Sequence, residues 1–442
     1  MPPGESRFMA SPRDRPPLPG GPYLVVGLAR SGQAAALLLA DRGERVIGVD
    51  SGKPDGIERL RDAGVEVHLD GGTSEWFAEA KCVVKSPGVP REAPPVRHAF
   101  TLGIPVIGEL ELAWRLLPNP FIAVTGTNGK TTVTELLGHI WRTAGAPVAL
   151  AGNVGTPLAS LPGQVDPATT VVCETSSFQL EDAVAFAPEC ALLLNATPDH
   201  LDRHGSFEHY LASKLRIFAC QDAGDVALVD RSDPQIGPLD LHGDGREVDV
   251  ARAALGFEPS GAWIHGAHNS QNARFAAVAA IEMGIDRVAV EQGIASFPGI
   301  LHRLEHVAEI DGVTYVNDSK ATNVAAAVAA LRSFDDGVHA LMGGSLKGGD
   351  FNPLADPVAE RCAAVYLTGP AGESIAAALE ATSVEVVRCA DLPDALSHAR
   401  AAAVSGQTVL LAPACASFDA YSDYEARGDH FRELVREIAR PA

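Results

Sequence analysis

The chain has 442 residues, 46% of them apolar and 21% charged, with 35 basic side chains against 56 acidic ones and a net charge of −21. At about 150 residues per domain the length suggests roughly three domains, and the composition excludes a disordered or fibrous chain. The acidity excludes a general nucleic-acid binder, which would carry a basic face for phosphates, and with no run of 18 apolar residues a spanning helix and membrane insertion are excluded.

The first 22 residues, MPPGESRFMASPRDRPPLPGGP, are crowded with proline and glycine and have no apolar stretch. They predict a disordered tail and no signal peptide. Seven cysteines are scattered without a C-x-x-C pair, and most lie in apolar runs. They are expected as small buried hydrophobes in a reducing, cytoplasmic setting.

From residue 23 onward, short β-branched runs alternate with amphipathic stretches, the α/β pattern of parallel sheets with crossover helices. The first block is YLVVGLARSGQAAALLLADRGERVIGVD: a strand, a turn, a helix closed by Gly43, and a second strand. LPNP at 117–120 makes a proline-rich joint. A second series starts at FIAVTG (121–126) and includes TTVVCE (169–174) and ALLLN (191–195). A third follows SFPGILHR, with VTYVN, HALMGG, AVYLTG, VEVVRC and TVLLAPA as strands. The expected divisions are a tail over 1–22 and domains over 23–117, 118–298 and 299–442.

Ligands of open α/β sheets collect beyond the carboxyl ends of the strands, and here those ends are rich in polar groups. VTGTNGKTTVTELLG is the strongest signal. A strand enters a glycine-rich turn, and Lys130 and Thr131 open a helix. Gly126 and Gly129 let backbone N–H groups crowd around phosphate oxygens at a helix N-terminus. Lys130 would reach the phosphates, and the Thr131 hydroxyl would ligate Mg²⁺. The spacing departs from G-x-x-x-x-G-K-[ST] because Val124 stands five residues before Gly129. Glu174 ends a neighbouring strand and is a candidate second magnesium ligand. His200, after ALLLN and its polar extension, is a candidate metal ligand. Lys214 lies on a helix with apolar Leu211, Leu215 and Phe218, where a lysine normally extends to solvent. Gly27-Leu-Ala-Arg-Ser-Gly32 lacks the G-x-G of a dinucleotide fingerprint, yet suits a nucleotide or phosphate at a helix N-terminus. Asp50 could accept from a ribose or base, and Ser86-Pro-Gly88 forms another tight turn at a strand end.

Several motifs in order, TGTNGKTT, GNVGTP, ETSSFQLE, TPDHLDRHGSFEHYLASKLRIF, HNSQNA, HRLE, NDSKATN, GGSLKGGDF and LAPACASFD, resemble those of the Mur ligases, the ATP-dependent amide ligases of peptidoglycan synthesis. NDSKATN and PACAS resemble the glutamate-adding branch, and the D-N-P-[RK] motif of the diaminopimelate- or lysine-adding branch is missing. The resemblance implies an N-terminal Rossmann-like domain for a UDP sugar, a central P-loop ATPase with a parallel sheet, and a C-terminal Rossmann-like domain.

It further implies that ATP is bound by Gly126, Thr127, Asn128, Gly129, Lys130, Thr131 and Thr132, together with Asn269, Asn272, Arg303 and Asp318. Thr131 and Glu174 would hold one Mg²⁺, and His200 and a carbamylated Lys214 a second. Lys130, His200 and Lys214 would be catalytic. Arg30, Ser31, Asp50, Ser86, Gly88 and Asn153 would contact UDP-N-acetylmuramoyl-L-alanine. Lys320, Thr322, Lys347, Ser417, Phe418 and Tyr424 would surround D-glutamate. Tyr424 stands where the family often has phenylalanine, and Ser51-Gly52 replace the family's polar and basic uridine contacts. A monomer is implied. The alternatives are a sibling ligase or folylpolyglutamate synthase of the same fold, a nicotinamide-dependent dehydrogenase, and a non-catalytic binder of UDP-muramoyl peptides.

Overall fold

The computed structural model describes residues 14–69, 79–261, 263–264, 266–346 and 350–439. Among the described residues the strands form three sheets. The first contains β1 (Tyr23–Val26), β2 (Val46–Val49), β3 (Glu66–His68), β4 (Cys82–Lys85) and β5 (Val106–Gly108), in the order β3-β2-β1-β4-β5. The second contains β6 (Phe121–Thr125), β7 (Val148–Gly152), β8 (Thr170–Glu174), β9 (Cys190–Leu193), β10 (Val226–Val229) and β11 (Arg246–Asp249), in the order β11-β10-β9-β6-β8-β7. The third contains β12 (Glu305–Ile310), β13 (Val313–Asn317), β14 (Val338–Gly343), β15 (Cys362–Thr368), β16 (Glu385–Arg388) and β17 (Thr408–Leu411), in the order β12-β13-β17-β14-β15-β16.

All of these pairings are parallel except β12 with β13. The strands named from the sequence are therefore present, and parallel sheets with helical crossovers are the expected α/β class. In the third sheet the apolar period of two is plain. Ala340, Met342, Val365 and Leu367 enter one core, while Leu341, Ala364 and Tyr366 enter another, because helices cover both faces.

The chain divides into two compact units, residues 1–259 with 272–294, and residues 260–271 with 295–442. The first two sheets thus lie in one compact unit, with the expected joint at 117/118 between them. Physical continuity explains this. A single buried apolar cluster runs from Tyr23 and Val25 through Leu112 and Trp114 to Phe121, Leu193 and Leu241. Two carboxylates of the helix Glu109–Arg115 reach into the second sheet's loops. Glu109 accepts from the Ala159 N–H at 2.6 Å, and Glu111 accepts from the N–H groups of Val184, Ala185 and Phe186 at 3.0–3.1 Å.

The expected tail over 1–22 is corrected over its described part. The Arg15 side chain is buried and donates to the Asn119 carbonyl at 2.9 Å and to Glu189 at 3.0 Å. Its guanidinium lies 4.5 Å from the centre of the Trp114 ring, and Arg115 donates to the Pro17 carbonyl at 2.7 Å. The prolines that suggested disorder also preset the backbone, so less entropy is lost when Arg15 anchors the segment. Cys82, Cys173, Cys190 and Cys415 are buried as expected, whereas Cys362 and Cys389 are half-buried and Cys220 is exposed.

Candidate functional site

β6 is flanked by β8 and β9, so the loops after these three strands share one edge of the second sheet. After β6 the chain turns through Gly126–Gly129 into the helix Lys130–Thr143. Gly129 has φ +85°, and a Cβ there would lie 2.4 Å from Asn272 Oδ1, so glycine is required by conformation and by space. Lys130 Nζ folds back onto the carbonyls of Gly126 at 2.9 Å and Thr127 at 2.8 Å. Asn195, just beyond β9, clamps the exposed tip: its Oδ1 accepts from Asn128 N–H at 2.9 Å and its Nδ2 donates to Asn128 O at 3.1 Å. Thr127 Oγ1 lies 2.9 Å from Tyr210 Oη. The result is a backbone cradle at the positive end of a helix, with a lysine inside it and Thr131 and Thr132 in the first helical turn, a geometry suited to phosphate oxygens.

Glu174 is buried at the end of β8 and accepts from Asn153 Nδ2 at 2.9 Å. His200 is exposed, has φ +50°, and starts the short helix Leu201–His204. Its ring lies 5.0 Å from that of Phe178. Lys214 sits on the helix Phe207–Leu215 and is 1% exposed. This corrects the expectation of a solvent-facing lysine. Nζ donates to the Gly126 carbonyl at 2.8 Å and lies 4.6 Å from the centre of the Tyr210 ring. Burial, reinforced by the neighbouring Lys130 charge and opposed by Asp199, lowers the Lys214 amine to about 7, so a large neutral fraction exists near neutral pH.

Among the described residues no three His, Cys, Asp or Glu side chains gather as a ready-made metal cage. The donor set Thr131, Glu174 and His200 fits a hard cation that takes its remaining ligands from phosphate and water, which is how magnesium is commonly held.

The residues expected at the UDP substrate divide in use. Asp50 Oδ2 accepts from Leu28 N–H at 2.6 Å and Oδ1 from Gly52 N–H at 2.7 Å, so it shapes the first glycine loop. Arg30, exposed beside Ser31 at the start of its helix, donates to the Gly155 carbonyl in the loop after β7. The turn at Ser86–Val89 lies against that first loop: a Cβ on Gly27 would meet Val89 Cγ2 at 2.5 Å and Ser86 Cβ at 3.0 Å. Gly88 donates nothing to this packing, but its carbonyl accepts from Arg203 at 3.3 Å.

In the second unit Asp318 is buried, accepts from Leu304 N–H at 3.2 Å, and is raised to about 7 by burial, against the pull of that bond, Arg303 and Lys320. Asn269 is buried and donates to the Trp263 carbonyl at 3.4 Å. Lys320 Nζ lies 5.6 Å from the centre of the Tyr424 ring, and Thr322 N–H donates to the Lys320 carbonyl at 2.8 Å. Ser417 Oγ is buried without a hydrogen-bond partner, next to Phe418, which is 63% exposed. Such a hydroxyl is held at a cost and suits a polar ligand. Lys347 lies outside the described residues.

Three family profiles match in chain order: "Mur ligase MurD-like, N-terminal domain" over 22–108, "Mur ligase middle domain" over 124–273 and "Mur ligase, glutamate ligase domain" over 302–415. A protein of Pelotomaculum thermopropionicum named UDP-N-acetylmuramoylalanine--D-glutamate ligase is 41% identical, across 94% of this chain and 98% of that one. The chain belongs to the Mur ligase family. A Koribacter versatilis protein of the same name is 40% identical to this Mur ligase, across 95% and 98%. Among solved structures, UDP-N-acetylmuramate-alanine ligase MurC of Thermotoga maritima is 18% identical, with a TM-score of 0.55 over 94% of this chain and 99% of that one. That likeness bears on the fold alone, and the described helices of this Mur ligase include none long and apolar enough to cross a membrane.

Sequence reasoning gave no role to three residues that hold this Mur ligase's loops: Tyr210, Asn195 and Arg203. Tyr210 and Lys214 are one helical turn apart and both buried, whereas Leu211 is only half-buried. The i, i+4 pairing of Tyr210 with Lys214 was the available signal, but the apolar Leu211–Leu215–Phe218 stripe obscured it. Asn195 was visible only as a polar residue at a strand end. Arg203 had no signal beyond its place in LDRH.

Proposed function

We propose that this chain joins D-glutamate to UDP-N-acetylmuramoyl-L-alanine at the expense of ATP, in peptidoglycan precursor synthesis. The observation that carries the reading is the likeness, over 94% of the chain, to a ligase of that name. The arrangement of Lys130, Glu174, His200 and Lys214 at one sheet edge supports it.

A carboxylate is a poor electrophile, and phosphorylation makes it reactive. An oxygen of the alanyl carboxylate attacks the γ-phosphorus, the bond to the β,γ-bridging oxygen breaks, and ADP leaves. The glutamate amine then attacks the acyl carbon, loses a proton, and the tetrahedral intermediate expels phosphate. Gly126–Thr132 would hold the phosphates, with the Lys130 ammonium turning from loop carbonyls to the transferred group. This is catalysis by positioning and charge neutralisation. Mg²⁺ at Thr131 and Glu174, and a second ion at His200, would supply further neutralisation of phosphate charge.

Lys214 is suited to carbamylation because its amine is readily neutral. A carbamate there would convert a buried cation into an anion fit for a metal. Asn272, Asn269, Arg303 and Asp318 are the proposed remaining nucleotide contacts. Arg30, Ser31, Asp50, Ser86, Gly88 and Asn153 are proposed for the UDP substrate, and Lys320, Thr322, Lys347, Ser417, Phe418 and Tyr424 for glutamate. The chain is proposed to work in the cytoplasm as a monomer.

The test is ADP release by the purified chain with UDP-N-acetylmuramoyl-L-alanine and either D- or L-glutamate. Turnover with D-glutamate supports the reading. Turnover with neither enantiomer overturns it.

A further inference from the structure

Arg203 lies three residues after His200 in the short helix Leu201–His204, and its side chain leaves that loop for the first sheet. Its guanidinium donates to three consecutive carbonyls of the turn after β4: Nη2 to Pro87 and Val89 at 2.9 Å each, and Nη1 to Gly88 at 3.3 Å. The planar fork of an arginine can satisfy such a row, and a lysine cannot.

The same guanidinium lies 4.2 Å from the centre of the Phe178 ring. Phe178 also contacts the His200 ring at 5.0 Å and stacks on His204 at 5.1 Å. One aromatic ring therefore contacts both the arginine and the two histidines of the loop. The turn is held from below as well. Lys85 Nζ donates to the Val89 carbonyl at 2.8 Å and pairs with Asp182 at 2.7 Å, with both side chains buried. Because the turn abuts Gly27, fixing it also fixes the first glycine loop.

We infer that Arg203 is a positioning residue that sets the span between the Ser86–Val89 turn and His200, and so the span over which the UDP sugar and its reacting alanyl end are held. This rests on the function proposed above. A substrate anchored at a nucleotide and reacting at a distant carboxylate gains rate only if both anchors keep a fixed separation, and a misplacement of about 1 Å can cost about 10²-fold.

Steady-state kinetics on the full chain, with Arg203→Ala and Arg203→Lys, provide the test. Arg203→Ala should raise KM for UDP-N-acetylmuramoyl-L-alanine about tenfold or more and lower kcat, while KM for ATP stays within about twofold. Arg203→Lys, which keeps the charge but loses the fork, should show the same split to a smaller degree. It also carries the comparison if the alanine variant does not fold. An unchanged KM for the UDP substrate, or an equal rise in KM for ATP, overturns the inference. The two failures are distinguishable: a wild-type chain that releases no ADP removes the proposed function, whereas an active wild type matched by both variants removes only the role of Arg203.

Discussion

Lys214 Nζ donates to the carbonyl oxygen of Gly126 at 2.8 Å, so the buried amine and the glycine loop share one peptide group. Lys130 donates to that same carbonyl at 2.9 Å. Burial is the main reason Lys214 gives up its proton readily, the Lys130 charge adds to it, and two lysines converging on one oxygen make the loop sensitive to the charge of either side chain.

Replacing Lys214 by alanine removes this amine and any carbamate formed on it. Turnover should fall by about 10²–10³-fold, the scale of losing one charge-stabilising group in a site. Added short carboxylic acids should restore part of it by occupying the vacated space with an anion. ADP release with and without acetate or formate measures this, and the absence of any rescue would count against the carbamate.

Lys130→Ala should reduce ADP release by a similar factor, about 10²–10³-fold. The helix it opens is held by buried Val133, Leu136, Leu137 and Ile140, so circular dichroism and thermal melting should be close to wild type. Retained turnover in a folded variant would refute the phosphate-loop assignment.

Glu109 offers a pH test of stability. Burial raises its carboxyl from 4.5 to about 7, only partly offset by the N–H groups of Ala159 and Leu158. Between pH 4.5 and about 7 the unfolded chain has lost this proton and the folded chain retains it, so stability from this group falls as pH rises through that window. Glu109→Gln keeps an acceptor for Ala159 and cannot ionise. Its melting temperature should exceed wild type by a few degrees at pH 8 and match it near pH 4.5. A constant offset across pH would exclude titration of Glu109 as the cause.

Arg15→Met should destabilise the first unit, because the nearly buried Glu189 would lose its guanidinium partner. Breaking such a pair from one side costs about 3–5 kcal/mol. Glu189 also accepts from Phe121 N–H at 2.7 Å, so Arg15→Met combined with Glu189→Gln should recover part of the loss. Calorimetric melting of the single and double variants measures this, and a wild-type melting temperature for Arg15→Met would show the anchor to be energetically idle.

The strand pattern was legible because β-branched runs such as TTVVCE and VTYVN have few alternatives to a buried parallel strand. The glycine loop was legible because GTNGKTT combines turn, charge and helix start in seven residues. The burial of Lys214 was not, since sequence gives the direction of a side chain only through its helical face, and that face carried both a lysine and leucines. The joint at 117/118 was read from its prolines, whereas the bonds that Glu109 and Glu111 make across it were not visible, because both resemble ordinary surface charges. Arg203 could not be found from local pattern, because all three carbonyls it binds are more than 110 residues away.

The anchoring of Arg15 also bears on how the chain is made. Its partner Glu189 is 174 residues downstream, and at about 5–20 residues per second a ribosome needs roughly 9–35 s to cover that distance. During this interval the N-terminal arm can reach Trp114 and Asn119 but lacks the buried carboxylate that pairs with Arg15. The arm's charge pairing is thus completed only well after the strands of the first sheet have been translated. A nascent-chain release series should show protease resistance of the arm appearing only after β9 has emerged.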